Sequence, residues 1–298
     1  MEALIRALED AKISLERDCL LARHASFRVG GKADLALFPQ NIRELVDCMR
    51  LLSACGVKYV VIGNASNVVF SDQGFRGAVV FTKHCRDFSV EGSCIRASAG
   101  ASLSGLSLAA REESLCGLAF AYGIPGTLGG ALFMNAGAFG GCIADVCVSS
   151  RYYDVKTGQT GTVVGEAHAF DVRSSIYQVH PEWVILEATL NLLPGSRSAI
   201  DADMHAFSEQ RRRTQPLELP NAGSVFKRPA GHFAGKLIED CGLKGYRIGG
   251  AEISQKHAGF IVNQGEATAE DIRRLTEHIK TVVFERTGVN LTCEIRFL

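Results

Sequence analysis

Seven glycines and three alanines fall between Gly123 and Gly141, in the run G-I-P-G-T-L-G-G-A-L-F-M-N-A-G-A-F-G-G, which leaves the backbone there almost bare. Glycine gives up more conformational entropy on folding than any other residue, so a cluster this dense needs a compensating interaction. Two are open: N–H groups turned toward an anion such as a phosphate, or a tight helix–sheet contact around small residues. The spacing restricts the first. No G-x-x-x-x-G-K-[ST] occurs in the run, and no G-x-G-x-x-G follows an evident strand, so it is neither a P-loop nor a Rossmann fingerprint.

At 298 residues the chain exceeds the usual size of a single core, which predicts two or three domains. Its 47% hydrophobic and 21% charged residues are those of an ordinary soluble protein, and a formal charge of zero offers no electrostatic case for a nucleic-acid partner. The basic run Arg211, Arg212, Arg213 reads as the solvated last turn of a helix. Met1 to Asp10 is acidic and weakly amphipathic, without a signal-type apolar stretch, and nowhere do 18 apolar residues follow one another. The expectation is a cytoplasmic protein without a membrane partner. None of the ten cysteines falls in C-x-x-C. Cys48, Cys55, Cys85, Cys94, Cys116, Cys142, Cys147 and Cys241 sit among apolar or small residues, which suits buried thiols in a reducing compartment. The eight histidines are scattered without H-E-x-x-H, so no metal site is expected.

Local patterns predict several elements. Asn41 caps a helix to Ala54, with Glu44 completing a capping box, Leu45, Val46, Met49 and Leu52 at helical spacing and Gly56 as its stop. Strands follow at Lys58–Ile62 and Gly77–Thr82, giving a β-α-β start. Between them lie G-N-A-S-N, Gly63 to Asn67, and S-D-Q-G-F-R-G, placed beyond a strand's carboxyl end where α/β sheets bind ligands. A helix over Ser104–Glu113 leads into the glycine run. Asp154–Val164 has hairpin chemistry around Thr157-Gly158, and Trp183–Leu193 alternates like a half-wet strand. Pro194-Gly195-Ser196 reads as a domain boundary. Beyond it come a charged helix near Ala202–Arg213, a Pro/Gly-rich loop from Pro216 to Gly231, a helix from Thr268 to about Arg286 and a final strand over Leu291–Leu298. In the last helix Thr268 and Asp271 form the first turn, Ile272, Leu275, Ile279 and Val282 face inward, and Gly288 is the stop.

Three polar residues stand in settings that composition does not require. Arg173, in F-D-V-R-S-S, carries a permanent planar fork of donors suited to a carboxylate or an enolate oxygen, or else forms a surface ion pair. Ser224, in N-A-G-S-V-F-K, has space cleared beside it by Ala222 and Gly223, yet it is not in a G-x-S-x-G elbow; a turn serine is the alternative. Glu294 is an acid in the strand pattern L-T-C-E-I-R-F-L. Alternation groups it with Thr292 and Arg296, so the alternative is an exposed strand acid.

Five blocks taken in order resemble the UDP-N-acetylenolpyruvoylglucosamine reductase family. They are H-A-S-F-R-V-G-G-K-A-D (His24–Asp34), G-N-A-S-N-V-V-F-S-D-Q-G-F-R-G (Gly63–Gly77), the glycine run, Q-P-L-E-L-P-N-A-G-S-V-F-K (Gln215–Lys227) and G-G-A-E-I-S-Q-K-H-A-G-F-I-V-N (Gly249–Asn263). The resemblance implies an α+β protein with an FAD-binding fold of the vanillyl-alcohol-oxidase (PCMH) type and a separate α+β substrate-binding domain. The implied bounds are 1–84 joined by a C-terminal strand at about 289–298, 85–195, and 200–288.

The resemblance also implies a flavoenzyme of peptidoglycan precursor synthesis that takes NADPH as co-substrate and a nucleotide sugar as substrate, with non-covalent FAD, as a monomer. NADPH reduces the flavin, a hydride reaches the enolpyruvyl β carbon, and the enolate is protonated. Ser224 matches the proton donor, and Arg173 and Glu294 match the pair that meets the carboxylate. FAD is expected against Gly63, Asn64, Ala65, Ser66 and Asn67, with Arg28 and Val29 nearby. It is also expected along the run at Gly123, Pro125, Gly126, Gly129, Gly130, Asn135, Ala136 and Gly137. Lys227, Arg228 and His257 are expected at the substrate. Val172 stands where the family usually has tyrosine, Arg228 where it usually has asparagine, and Ala65 where it has glycine. No inserted tyrosine loop is evident, as in the family's shorter subtype. Val172 and Arg228 keep open another flavin oxidoreductase on the same scaffold.

Overall fold

The computed structural model describes all 298 residues, and the chain divides into two compact units. The first comprises residues 1–17, 34–64 and 77–209; the second comprises 18–33, 65–76 and 210–298.

The first unit has two cores. Helix α1 (Glu2–Asp10) and helix α2 (Ile42–Ala54) bury Leu4, Ile5, Leu8, Leu45, Cys48, Met49 and Leu52 against Leu35, Leu37, Ala78 and Val80. Each leucine, isoleucine, valine or methionine among them contributes about 1.5–3 kcal/mol of burial. The start of α2 follows its cap: the Asn41 side chain accepts from the Glu44 N–H at 3.0 Å, and Glu44 accepts from the Gln40 N–H at 2.9 Å. The carboxylate therefore reaches one residue further back than a regular capping box requires. Strands Leu15–Leu20, Lys32–Leu37, Phe75–Phe81 and Tyr59–Ile62 form a four-stranded sheet in that order. Tyr59–Ile62 and Phe75–Phe81 run parallel, with Tyr59 opposite Ala78.

The second core of this unit lies on an antiparallel five-stranded sheet ordered Gln159–Val164, Cys147–Asp154, Trp183–Asn191, Cys94–Ser98, Phe88–Glu91. The expected hairpin forms, its turn closed by the Asp154 carboxylate on the N–H groups of Lys156 and Thr157, with Gly158 at φ 72°. Helix α3 (Leu103–Glu112), capped by Ser102, and helix α4 (Leu128–Met134), capped by Thr127, pack here through Leu103, Leu106, Leu128 and Leu132. Helix α5 (Arg197–Thr214) is longer than its charge pattern predicts.

The break at Pro194-Gly195-Ser196 does not end the unit, which continues to residue 209. Gly195 is packed so closely that a Cβ there would lie 2.0 Å from the Cys116 sulfur, and Phe207 of α5 stacks on Phe139 at 4.4 Å. Arg211, expected in solvent, is 9% exposed. Helical periodicity turns it inward while Arg212 and Arg213 stay out.

In the second unit helix α6 (Ala234–Asp240) and helix α7 (Ala269–Thr287) cover strands Arg247–Ile248, Ala251–Ile253 and Ile261–Asn263. Thr268 and Asp271 make a full capping box and Gly288 takes the left-handed C-terminal position. Ile272, Leu275, Thr276, Ile279 and Val283 are the buried face, with Val282 at its edge. Asp72 adds a second carboxylate at the α7 N-terminus, accepting from the N–H groups of Ala269 and Glu270 at 2.7 and 3.0 Å. Of the C-terminal segment only Arg296–Phe297 is ladder-paired, parallel to Val68–Val69. All ten cysteines are free thiols, and Cys55 is exposed.

Candidate functional site

Within the first unit, the loop after Tyr59–Ile62 meets the start of the glycine run. The Asn64 side-chain amide donates to the Pro125 carbonyl at 2.8 Å, and a Cβ on Gly63 would lie 2.2 Å from the Thr127 hydroxyl. Glycine at 63 is therefore set by the approach of Thr127, whose hydroxyl also caps the Gly130 N–H. The backbone N–H groups of Asn64 and Gly126 make no hydrogen bond within the chain. Gly123 differs: its N–H is taken by the Ser104 hydroxyl at 3.0 Å.

The close-packing reading of the glycine run holds at two of its glycines. Gly129 lies against Ala99, with 2.9 Å left for a Cβ, and Gly141 lies against the Phe120 ring at 2.7 Å, so these two serve close packing. Gly137 opposes Cys142 in the short hairpin at the end of the run. Asn135 ends α4 in the left-handed conformation at φ 41°, beside the half-buried Ala136. Its side chain donates to the Asp171 carbonyl at 3.1 Å and accepts from the Ala144 N–H at 3.0 Å.

Those bonds bring the end of the run to Arg173. The guanidinium donates to the carbonyl of Gly137 at 3.1 Å and to that of Asn135 at 3.5 Å. Arg173 itself holds φ at 55°. Nine non-glycine residues have positive φ, and four of them, Arg28, Ala65, Asn135 and Arg173, are on the expected site. Such backbone costs on the order of 1–3 kcal/mol per residue and clusters where function sets geometry. Ala65 is thus a strained replacement for glycine. Val172 is 64% exposed at the tip of the same segment.

Within the second unit, Ala65 accepts from the Ser26 N–H at 3.2 Å, which brings the 65–67 loop beside the segment of Arg28 and Val29. The N–H groups of Ser66 and Asn67 make no hydrogen bond within the chain. The Asn67 amide donates to the Glu294 carbonyl at 3.2 Å, and the Glu294 N–H donates to the Val225 carbonyl at 2.7 Å. The Lys227 backbone N–H donates to the Thr292 carbonyl at 2.9 Å, and the Ser224 backbone bridges Phe260. Asn67, Ser224, Lys227 and Glu294 therefore share one backbone framework, with the Ser224 side chain exposed and Glu294 half-buried.

His257 joins this framework through Nδ1, which accepts from the Gly259 N–H at 3.0 Å. Burial lowers its pKa, so the ring is neutral with its proton on Nε2. Arg228 lies elsewhere on its loop, 3.9 Å over the exposed Phe233 ring and bonded to the His232 carbonyl.

Three supporting residues are not among those expected at the site. Asn221 forms an Asx turn to Gly223, the Ser254 hydroxyl accepts from the N–H groups of Lys256 and His257, and buried Asn263 donates to the Phe27 carbonyl. Asn221 and Ser254 make turns with residues two or three positions on, and Asn221, in N-A-G-S, carries the turn signal; Asn263 depends on a partner 236 positions away.

Residues 33–164 match a family described as FAD binding domain, and residues 215–298 match the family described as UDP-N-acetylenolpyruvoylglucosamine reductase, C-terminal domain. The chain is 44% identical to UDP-N-acetylenolpyruvoylglucosamine reductase of Caldicellulosiruptor bescii over 98% of its own length and 93% of that protein's. The crystal structure of the corresponding reductase from Thermus caldophilus superposes with a TM-score of 0.81 at 31% identity, covering 96% of this chain and 99% of that one. A berberine-bridge-enzyme-like protein of Physcomitrella patens shares the fold over 64% of this chain and 44% of that one, with TM-score 0.50 and 14% identity. The fold is that of the PCMH-type FAD-binding proteins, and the chain belongs to the UDP-N-acetylenolpyruvoylglucosamine reductase family.

Proposed function

We propose that this chain reduces the enolpyruvyl ether of UDP-N-acetylglucosamine enolpyruvate to UDP-N-acetylmuramate, with NADPH as reductant and FAD as the resident cofactor. The observation that carries the reading is the seat of Arg173 on the end of the glycine run, within a family of this activity. The donor set of the first unit fits a phosphate group: the N–H groups of Asn64 and Gly126 make no hydrogen bond within the chain, and the absent Gly63 side chain lets their two segments close on one another. When bound, FAD supplies the hydride that adds to the enolpyruvyl β carbon.

Addition at that carbon builds negative charge on the carboxyl-conjugated enolate. Arg173 binds the carboxylate and meets the growing charge, an interaction stronger in the transition state than in the ground state and worth on the order of 10²–10³ in rate. Glu294 completes the contact. Ser224 gives its proton to the α carbon, with Lys227 beside it in the chain to offset the resulting charge, a contribution of about 10²–10⁴. Neutral His257 presents only a donor from Nε2, which suits an acceptor of the UDP moiety. Arg228, steadied on Phe233, offers a cation to the diphosphate.

The test is anaerobic. NADPH should bleach the bound flavin, and UDP-N-acetylglucosamine enolpyruvate should restore its colour; failure of the second step overturns the reading. Rapid oxygen-dependent turnover of another alcohol or acid would instead favour a different flavin oxidoreductase.

A further inference from the structure

The hydroxyl of Ser150, on strand Cys147–Asp154, lies 2.7 Å from Nε2 of His168 and 2.5 Å from the Tyr177 hydroxyl. All three residues are at most 1% exposed. Nδ1 of His168 faces the Gly165 carbonyl at 2.8 Å, and a carbonyl only accepts, so that nitrogen carries the proton. Burial lowers the His168 pKa and keeps the ring neutral, leaving Nε2 as an acceptor. The hydrogen bonds therefore run one way, from the Tyr177 hydroxyl to Ser150, from Ser150 to His168 and from His168 to Gly165. Phe170 stacks on the imidazole at 4.8 Å, and Tyr152 and Trp183 pack edge-on against Tyr177.

His168 and Tyr177 bracket the segment that carries Arg173. Between them Ala169 and Arg173 hold left-handed backbone, at φ 47° and 55°. Strain of this kind persists only where the surroundings over-determine it. Helix α4 and the residue that ends it supply some of the restraint: the Ser175 hydroxyl and the Gln178 amide both donate to the Phe133 carbonyl, at 2.9 and 2.8 Å, and the Asn135 amide donates to the Asp171 carbonyl at 3.1 Å. A further restraint is the hub at Ser150, which ties together two residues nine positions apart in sequence.

We propose that Ser150, His168 and Tyr177 form a positioning unit for Arg173. They hold both ends of the 169–176 segment from within the core, so that the guanidinium is presented in one geometry. None is a catalytic residue; each acts through Arg173. The inference rests on the proposed role of Arg173 at the substrate carboxylate.

Ser150→Ala leaves the Tyr177 hydroxyl and His168 Nε2 without their buried partner, whereas Tyr177→Phe keeps the ring and removes one bond. Flavin-loaded variants are compared with the parent in amide hydrogen exchange over residues 169–176 and in the two anaerobic half-reactions. In Ser150→Ala, exchange over 169–176 should rise about tenfold, re-oxidation by saturating UDP-N-acetylglucosamine enolpyruvate should slow about tenfold, and bleaching by NADPH should change less than about twofold. Tyr177→Phe should show the same pattern to a smaller degree, and it carries the test if Ser150→Ala does not fold. Parental exchange over 169–176 overturns the proposal, as does an equal slowing of both half-reactions. If the parent itself is not re-oxidised by the nucleotide sugar, the functional reading fails, and the exchange data still decide whether the unit orders this segment.

Discussion

The Arg173 guanidinium donates to the Gly137 carbonyl at 3.1 Å, so the one fixed cation of the 169–176 segment rests on the end of the glycine run. Residues 36 positions apart are joined there. Arg173→Lys keeps the charge but replaces a planar fork by a point donor that cannot span both the Gly137 and Asn135 carbonyls. The expected outcome is a 10²–10³-fold fall in kcat, about the worth of a transition-state donor, with NADPH still bleaching the flavin at the parental rate. Stopped-flow absorbance separates the two steps, and a variant within twofold of the parent in both would remove Arg173 from the chemistry.

Asn135 secures the other side of that contact. Asn135→Ala removes its bonds to Asp171 and Ala144 and leaves an alanine at φ 41°. A loss of about 1–3 kcal/mol is expected, from the unmade buried hydrogen bonds and the left-handed strain. Urea unfolding measures it; an unchanged midpoint would mean that the segment is held without Asn135.

Gly63→Ala would put a Cβ 2.2 Å from the Thr127 hydroxyl, a group that also caps α4. The 63–64 loop must then move off the run. The purified variant is expected to carry much less flavin than the parent, read as the ratio of visible to 280 nm absorbance. Full flavin content would show that the cofactor does not depend on this approach.

Asp271 makes the α7 cap sensitive to acid. Burial alone would raise its pKa, but bonds from the Thr268 N–H, the Thr268 hydroxyl and the Gly250 N–H outweigh it and hold the value below that of an ordinary aspartate. A carboxyl with a depressed folded-state pKa contributes stability that is complete above its unfolded value, about 3.9, and is lost as pH falls through the folded value. Asp271→Asn should therefore be less stable than the parent at pH 6, with the gap narrowing below about pH 4. A gap of constant size between pH 6 and pH 3 would assign the cap to hydrogen bonding without charge.

Local chemistry in the sequence carried far. Asn41 with Glu44, Thr268 with Asp271 and Gly288, and Thr157-Gly158 each mark an element boundary that the structure reproduces, because a cap or a turn is made by residues a few positions apart. Arg211 was not legible in this way: its charge says solvent, while its position in the helical repeat turns it inward. The Pro194–Ser196 break looks like a boundary by composition, yet packing on Cys116 and Phe139 keeps residues 197–209 in the first unit.

Taken alone, the sequence determined which residues can do chemistry, since a guanidinium, a hydroxyl and a bare backbone have their properties before folding. It also set the boundaries of the well-capped helices. Tertiary structure decided what each glycine is for, separating Gly63, which admits Thr127, from Gly129 and Gly141, which pack on Ala99 and Phe120. It decided too that Asn67 meets Glu294 across 227 positions, and that Ser150 binds both ends of the Arg173 segment. Those contacts depend on strand pairing between distant residues, and their loop-closure cost is met only when the whole core forms.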